Sequence, residues 1–197
     1  MKKNKKLIPI LTISLFLLIG AVGTTLCLLI SSDAVTNKFQ TGDNKIDIVE
    51  DFQEPENWNG DEYKKVVKIS NTTNDSKSPV LVRVSIIPRW EDEKGLPSTN
   101  LSVDVVKLKF SEGEKWLKGD DGYYYYKSLL QPQESTSEIL KSVSLEIPEN
   151  EKSKYKGKTL KIDVNAESVQ ANKTAYRLNW NIEENSKIDE LLNSLVK

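Results

Sequence analysis

The side chains that most often do chemistry in proteins are scarce in this sequence. It contains no histidine and one cysteine, Cys27. Histidine-based zinc sites, the serine–histidine–aspartate triad and the cysteine–histidine dyad are therefore excluded. One cysteine forms neither an internal disulfide nor a cysteine metal cage. No Ser–Lys motif for hydrolysis stands out, and paired carboxylates for glycoside hydrolysis stay open because their geometry is spatial.

Two acidic clusters are the candidates for cation binding. Asp120 and Asp121 lie between two glycines, but the alternating ligand positions of a calcium loop are missing. Residues 91–93 (EDE) follow Trp90 and precede a Lys-Gly pair. We interpret both clusters as turns. The sequence therefore predicts no catalytic residue, no metal site and no cofactor.

An aromatic cluster is a candidate for ligand binding. Trp116 and the four tyrosines at 123–126 flank a Gly-Asp-Asp-Gly turn, which predicts a hairpin whose tyrosines point alternately to its two faces. We expect two of them to be buried and two to be exposed or paired. Trp116, Tyr123 and Tyr125 could stack on a sugar, but strand aromatics more often form cross-strand pairs over a core. We favour packing and keep the binding platform as an alternative.

The charges divide the chain into two parts. It has 197 residues, with 28 Lys+Arg and 29 Asp+Glu. Residues 1–32 hold four lysines and no acid, so the remainder has 24 basic and 29 acidic residues. A nucleic-acid-binding protein needs a basic surface on its folded part. We therefore predict no nucleic-acid partner.

Residues 7–30 form an uncharged, mostly apolar run directly after the lysines. This arrangement predicts a cleaved signal peptide or an uncleaved N-terminal anchor helix, and we favour cleavage. The positive-inside rule keeps the lysines cytoplasmic and exports everything after the run. We therefore predict a secreted or cell-surface protein whose segment 1–30 contacts the membrane and a signal peptidase.

The exported part consists of short β-branched runs closed by turn residues. The predicted strands are 45–49, 63–70, 80–89, 101–110 with a bulge, 116–126 as a hairpin, 139–147, 160–171 and 176–182. This pattern is typical of an all-β, antiparallel jelly-roll-like sandwich. Pro88 places its strand at an edge or near an end. One short C-terminal helix is predicted over 187–197, capped by Asn185 or Ser186.

One folded domain, 44–197, is the simplest organisation. Residues 31–43 between it and the apolar run are polar, with isolated Ala34, Val35 and Phe39. They predict an extended leader. An extended segment of this kind can complete an open sheet edge, and a head-to-tail contact of that type produces filaments.

Three stretches of the chain match one pattern. The first is residues 33–42 (DAVTNKFQTG), followed by IDI at 46–48 and EDF at 50–52. The second is residues 121–127 (DGYYYYK), followed by LQPQESTS at 130–137. The third is residues 162–171 (IDVNAESVQA). In this order they resemble the TasA/camelysin-type family of exported Gram-positive proteins, and most closely its clostridial biofilm surface proteins.

The resemblance implies a jelly-roll sandwich, processing by an alternate type of signal peptidase and a role as a subunit of an extracellular fibre. It also implies that the freed N-terminal segment is donated as a strand to another copy or a related fibre subunit. Residues 33–42 are the donor candidate, and its proposed assembly residues are Ala34, Val35, Asn37, Phe39 and Gly42.

Two features depart from the family pattern. Residues 24–27 (TTLC) are a poor version of the small residues before the cleavage site, so the cleavage position stays open. Some relatives are labelled metallopeptidases, but this chain has no histidine and no HExxH motif. We predict a protein that is not an enzyme. The alternatives are a monomeric surface module for a glycan or protein ligand, and a membrane-anchored accessory subunit.

Overall fold

The computed structural model describes residues 29–36, 45–56, 58–74, 79–111, 113 and 115–196. Its strands are β1 Leu29–Thr36, β2 Ile46–Asp51, β3 Tyr63–Asn71, β4 Val80–Glu91, β5 Val106–Phe110, β6 Trp116–Lys118, β7 Tyr124–Tyr126, β8 Leu140–Leu145 and β9 Thr159–Gln170. A 3-10 turn, Glu149–Glu151, leads into helix α1 Lys152–Tyr155, and α2 Lys173–Trp180 and α3 Lys187–Leu195 follow β9. The signal or anchor helix was predicted over 1–30; residues 1–28 lie outside the described ranges, and at its last two positions the prediction was wrong, because Leu29 and Ile30 belong to β1.

The strands form two sheets, in agreement with the predicted β-sandwich class. One sheet has the order β1-β9-β4-β7-β6 and the other has the order β2-β3-β8-β5. Each sheet has four antiparallel strands, and β1 is added to the first sheet in parallel. The two layers enclose the main hydrophobic core.

Strict alternation on β4 and β9 builds that core, as predicted. The inward side chains of these two strands are Val80, Val82, Val84, Ile86, Leu160, Ile162, Val164 and Ala166. Each buried branched side chain contributes about 1.5–3 kcal/mol. Pro88 lies near the end of β4, beyond the pairs that β7 forms with Arg83 and Val84. Its missing N–H therefore interrupts no ladder with β7.

The outer face of the five-stranded sheet is covered by α2 and α3, a third layer that the sequence analysis did not foresee. The strand predicted at 176–182 was wrong, because this segment belongs to α2. The Asn172 side chain caps the helix by accepting a hydrogen bond from the Ala175 N–H at 2.7 Å. Tyr176 and Trp180, four residues apart, then share one buried face against the sheet.

The predicted C-terminal helix is confirmed. Ser186 caps α3 by accepting a hydrogen bond from the Asp189 N–H. Leu192 is fully buried, and Ile188, Leu191 and Leu195 pack around the same cluster. A helix of nine residues is marginal alone, so this apolar stripe holds it on the sheet.

The strand predicted at 101–110 is shorter than expected. Residues 101–105 form a bend and turn, and β5 begins only at Val106. Leu101 and Val105 are buried in this loop, so their spacing resembled a strand without forming one. Trp90 fixes the loop by donating a hydrogen bond from Nε1 to the Ser102 carbonyl at 3.0 Å. The register shift lies later than predicted, between Lys109 and Phe110.

Candidate functional site

The β1–β9 edge contains the first part of the predicted donor segment. β1 pairs with β9 in parallel over eight positions, from Leu29 opposite Thr159 to Thr36 opposite Ala166. On its other side, β9 pairs with β4 along its whole length. β9 is therefore a firmly held strand, and β1 completes its outer side.

The proposed assembly residues divide between described and undescribed parts of the chain. Ala34 lies opposite Val164 and Val35 opposite Asn165 in the register. Asn37, Phe39 and Gly42 lie outside the described residues. The two positions that can be located therefore belong to the strand that pairs with β9.

Main-chain groups define this edge. A strand edge carries a row of N–H and C=O groups that any extended segment can satisfy. β1 is the sheet's outermost strand and has β9 as its single neighbour there. Parallel pairing is slightly less stable per residue than antiparallel pairing. The bond pattern of β1 is therefore suited to replacement by an equivalent strand.

An ion-paired cluster lies on β4 and β9 beside this edge. Arg89 donates a hydrogen bond from Nε to Asp163 at 2.7 Å and a second to Glu91. The bond to Asp163, followed by that to Glu91, holds the pKa of Arg89 above its usual range. Both carboxylates are therefore ion-paired with Arg89 within the subunit.

The predicted hairpin is confirmed. The sandwich core covers one of its faces and the helices cover the other. Trp116 pairs with Tyr126 in the register, and their ring centroids lie 4.9 Å apart. Tyr124 faces the sandwich core and stacks on Phe110 at 4.5 Å. Tyr125 faces the helices and packs edge-on against Trp180. Alternation of the tyrosines was correct, and on the face that was expected to be exposed or paired Tyr123 and Tyr125 are paired beneath the helical layer.

A charged network is enclosed between this hairpin and the helices. Arg83 donates to the Glu167 carboxylate through Nε at 3.0 Å and Nη2 at 2.8 Å. The hydroxyl of Tyr123 donates to the same carboxylate at 2.8 Å, and the hydroxyl of Tyr125 donates to Asp121 at 2.6 Å. The guanidinium carbon of Arg83 lies 3.9 Å from the Tyr123 ring centroid. Every charge in the network has an opposite charge in contact, as burial requires.

The network also changes proton affinity. Burial, followed by the bond to Asp121, raises the pKa of the Tyr125 hydroxyl. Burial by itself lowers the pKa of Arg83, but Tyr125 and Glu167 outweigh that effect and raise it. Both groups keep their protons under ordinary conditions. The network therefore holds the hairpin to β4 and β9.

The proposed sugar-stacking platform does not fit this arrangement. Trp116 and Tyr125 are fully buried, and the Tyr123 ring is already covered by Arg83. The three rings therefore form no common exposed face. Their arrangement is that of packed strand aromatics, the interpretation that the sequence analysis favoured.

Arg83 and Glu167 were missed in the sequence. They are direct cross-strand neighbours on β4 and β9. A usable signal was present for Arg83, because it is the single charge in the run 80–87 (VLVRVSII), and a charge in such a run indicates a buried pair. Glu167 gave no such signal, because β9 alternates with other polar residues.

A second ion-paired cluster joins helices α2 and α3. Arg177 on α2 donates to Asp189 on α3 through Nε at 2.7 Å and Nη2 at 2.9 Å. Tyr176 donates its hydroxyl to the same carboxylate at 2.8 Å. The bond to Arg177 lowers the pKa of Asp189 to about 2 despite its burial. This carboxylate stays ionised and holds α2 and α3 together.

The two acidic clusters form turns, as predicted. Asp121 accepts a hydrogen bond from the Tyr123 N–H, and Asp92 accepts bonds from the N–H groups of Lys94 and Leu96. Among the described residues, no group of three metal-ligating side chains is brought together. Within the same ranges, no helix is long and apolar enough to cross a membrane.

Comparison with known proteins gives no relative. The chain matches no family model, no curated protein and no solved structure. The edge geometry is therefore the main guide to function.

Proposed function

We propose that this protein is an exported structural subunit of a cell-surface or biofilm-matrix fibre. Each subunit donates its N-terminal strand to β9 of a neighbouring subunit. Its partner is another copy or a related subunit, and the function requires no cofactor and no covalent chemistry.

One observation carries the proposal. The first four residues of the segment singled out as a donor, 33–36, lie in the edge strand β1, which pairs with β9 over eight positions from Leu29 to Thr36. In a monomer this strand occupies its own β9. In a fibre the equivalent strand of the next subunit takes the same register, so no main-chain pair is lost.

The order of the strands in the sheet supports an exchange of β1 between subunits. β9 keeps its twelve pairs with β4 when β1 leaves, so the core strands are undisturbed. An exchange of identical segments has a small net energy difference and becomes favourable at high subunit concentration. Because the contact is head-to-tail, it extends into a filament.

The finer assignments belong to the same proposal. The apolar run that begins at residue 7 and ends before β1 acts as a signal or anchor helix that brings the chain to the membrane and its signal peptidase. The two sheets form a jelly roll, as the family resemblance implies. Processing frees the leader, and only a freed leader can reach a neighbouring subunit.

The test compares the exported chain with a variant lacking residues 33–42, both viewed by negative-stain electron microscopy. We expect filaments from the intact chain and a folded monomer from the variant. Circular dichroism and urea unfolding check that the variant keeps its fold. Filaments formed by the deletion variant would disprove strand donation.

A peptide sharpens the test. A labelled peptide of residues 33–42, the segment that the variant lacks, should bind the deletion variant and should compete poorly for the intact chain, whose edge is filled. A scrambled peptide of the same composition is the control. Equal binding of both peptides to the variant contradicts a defined register. Discrete intact monomers at high concentration instead support an accessory subunit that needs a different partner.

A further inference from the structure

A lysine and a glutamate form an enclosed pair between β2 and β3, at the margin of the main hydrophobic core. Glu50 continues the inward row of β2 after Ile46 and Ile48, because alternate residues of a strand share a face. Lys65 on β3 is fully buried, which is rare for lysine. Its Nζ donates a hydrogen bond to Oε2 of Glu50 at 3.0 Å. The two strands therefore hold opposite charges in contact, with little access to bulk water.

Two aromatic rings cover another side of the lysine. The Lys65 Nζ lies 4.3 Å from the centroid of the Phe52 ring, and Phe52 packs edge-on against Tyr63. An ammonium group has three N–H donors, but among the described residues Glu50 is the single hydrogen-bond acceptor that Lys65 reaches. Burial lowers the pKa of Lys65, and this effect outweighs the opposite effect of Glu50. The protonated lysine is therefore incompletely satisfied in this site.

A second lysine–carboxylate pair on the same two strands provides a comparison. Lys64 pairs with Asp51, and both of these side chains are 65% exposed. The side chains of Lys65 and Glu50 are 0% and 17% exposed. Water solvates the ions of the outer pair, whereas the inner pair has lost most of its water. Replacing a buried ion pair by uncharged groups is often neutral or stabilising, so only the inner pair gains from losing its charges.

We infer that Glu50 and Lys65 condense to an amide that joins β2 to β3 covalently. One ammonium proton passes to the carboxylate, which leaves an amine and a carboxylic acid. The lone pair of the amine then forms a bond to Cδ of Glu50. The C–OH bond breaks, and a second proton from the nitrogen leaves with the hydroxyl group as water. The step needs no oxidant, reductant or co-reactant.

Geometry and burial favour condensation over a lasting ion pair. The contact between Nζ and Oε2 places the nitrogen beside the carboxyl carbon, and two groups held in this way react as if at very high concentration. The product is neutral and its one N–H needs one acceptor, in place of the three donors of an ammonium group. Exclusion of water from Lys65 also protects the amide from hydrolysis.

The amide holds an edge strand in place. β2 has β3 as its single neighbour in the four-stranded sheet, and it is the first strand of that sheet along the chain. A covalent bond between Glu50 and Lys65 prevents β2 from separating from β3 at this point. The bond lies within one subunit and is separate from strand donation, so the inference does not depend on fibre formation.

Mass spectrometry of the denatured full chain tests the inference. We expect a mass that is lower by one water than the mass calculated from the sequence. Proteolytic digestion should give a branched peptide that joins the segments around Glu50 and Lys65. Glu50→Ala and Lys65→Met should each restore the calculated mass. Lys64→Met, which removes the exposed pair, is the matched control and should retain the loss of water.

Three results would overturn the inference. The first is a chain of full mass whose peptides containing Glu50 and Lys65 are recovered unlinked. The second is a loss of water that tandem mass spectrometry places elsewhere, for example in a cyclic imide formed by Asp121 with the following glycine. The third is a loss of water that persists in Lys65→Met. Because the chain is unfolded before measurement, the masses can be read even for a variant that folds poorly, and the branched peptide of the unsubstituted chain decides the question.

Discussion

The two ends of the described chain both complete the five-stranded sheet, but they use different bonds. β1 joins the edge of the sheet, position by position along the backbone of β9. The C-terminal helices cover its face through side chains, with Trp180 against Tyr125 and Asp189 tied to Arg177. One end is attached by a repeating main-chain ladder and the other by fitted side chains.

Under the proposed function, the β1–β9 ladder is the contact that exchanges between subunits, and the packing of α2 and α3 is the contact that stays within one subunit. Main-chain pairing accepts any extended segment that can supply N–H and C=O groups. Side-chain packing of a tryptophan or a buried ion pair accepts only its own partner. We therefore expect the layer formed by α2 and α3 to determine the stability of the fold and the leader to determine assembly.

The largest effect is expected from Trp180→Ala. Trp180 is 4% exposed and lies 5.1 Å from the guanidinium of Arg83. Its loss should lower the free energy of unfolding by about 3–5 kcal/mol, as for other buried tryptophans. Urea unfolding followed by circular dichroism measures this. Trp180→Phe is the control and should recover most of the loss; a loss below about 1 kcal/mol in Trp180→Ala contradicts a cap held by packing.

The next effect is expected from Glu167→Ala, which leaves Arg83 and Tyr123 without their shared carboxylate. Removal of one partner from a buried pair should cost about 3 kcal/mol. Asp163→Ala is the control on the same strand. The ion pair of Asp163 with Arg89 is about one-third exposed, so it should contribute less than about 1 kcal/mol. Thermal and urea unfolding of both variants test the contrast, and equal losses would refute it.

A smaller, pH-dependent effect is expected at Asp189. Its pKa is about 2 in the folded chain against 3.8 ordinarily. A lowered carboxylate pKa stabilises the fold above pH 3.8, and this stabilisation is lost as pH falls towards 2. The contribution is about 1–2 kcal/mol. Asp189→Asn should flatten this part of the pH–stability curve, whereas Asp120→Asn in an exposed turn should not; an unchanged curve in Asp189→Asn rejects the assignment.

The smallest effect on stability, below about 1 kcal/mol, is expected from proline in β1. Successive residues of a parallel strand direct their N–H groups to opposite sides, so only one of Ala34→Pro and Val35→Pro removes a bond to β9. That variant should fail to form filaments, and the other should form them. Electron microscopy reads out assembly and urea unfolding reads out stability. Filaments from both variants would contradict assembly through this edge.

Elements governed by side-chain alternation could be predicted from the sequence. The inward rows of β4 and β9, the Gly-Asp-Asp-Gly hairpin and the capped helix α3 each have a local pattern. The segment 176–182 misled the prediction because its aromatic and apolar residues suit a strand, whereas the Asn172 cap and the four-residue spacing of Tyr176 and Trp180 favour a helix. The segment forms a helix because the outer face of the five-stranded sheet is available to bury Tyr176 and Trp180.

The candidate site was predictable in part. Polar composition indicated an extended leader, and β1 begins within two residues of the predicted start at 31. Neither its partner strand nor its parallel direction could be read, because main-chain pairing leaves no pattern in the side chains.

Head-to-tail donation of β1 to the β9 of the next subunit would give the proposed filament a direction. In a filament built this way, one terminus carries a vacant β9 and the other carries a leader that has found no acceptor. The two termini therefore differ chemically and elongate at different rates. A copy without its leader can receive a strand but cannot pass one on, so a small proportion of such copies would set the length of the whole polymer.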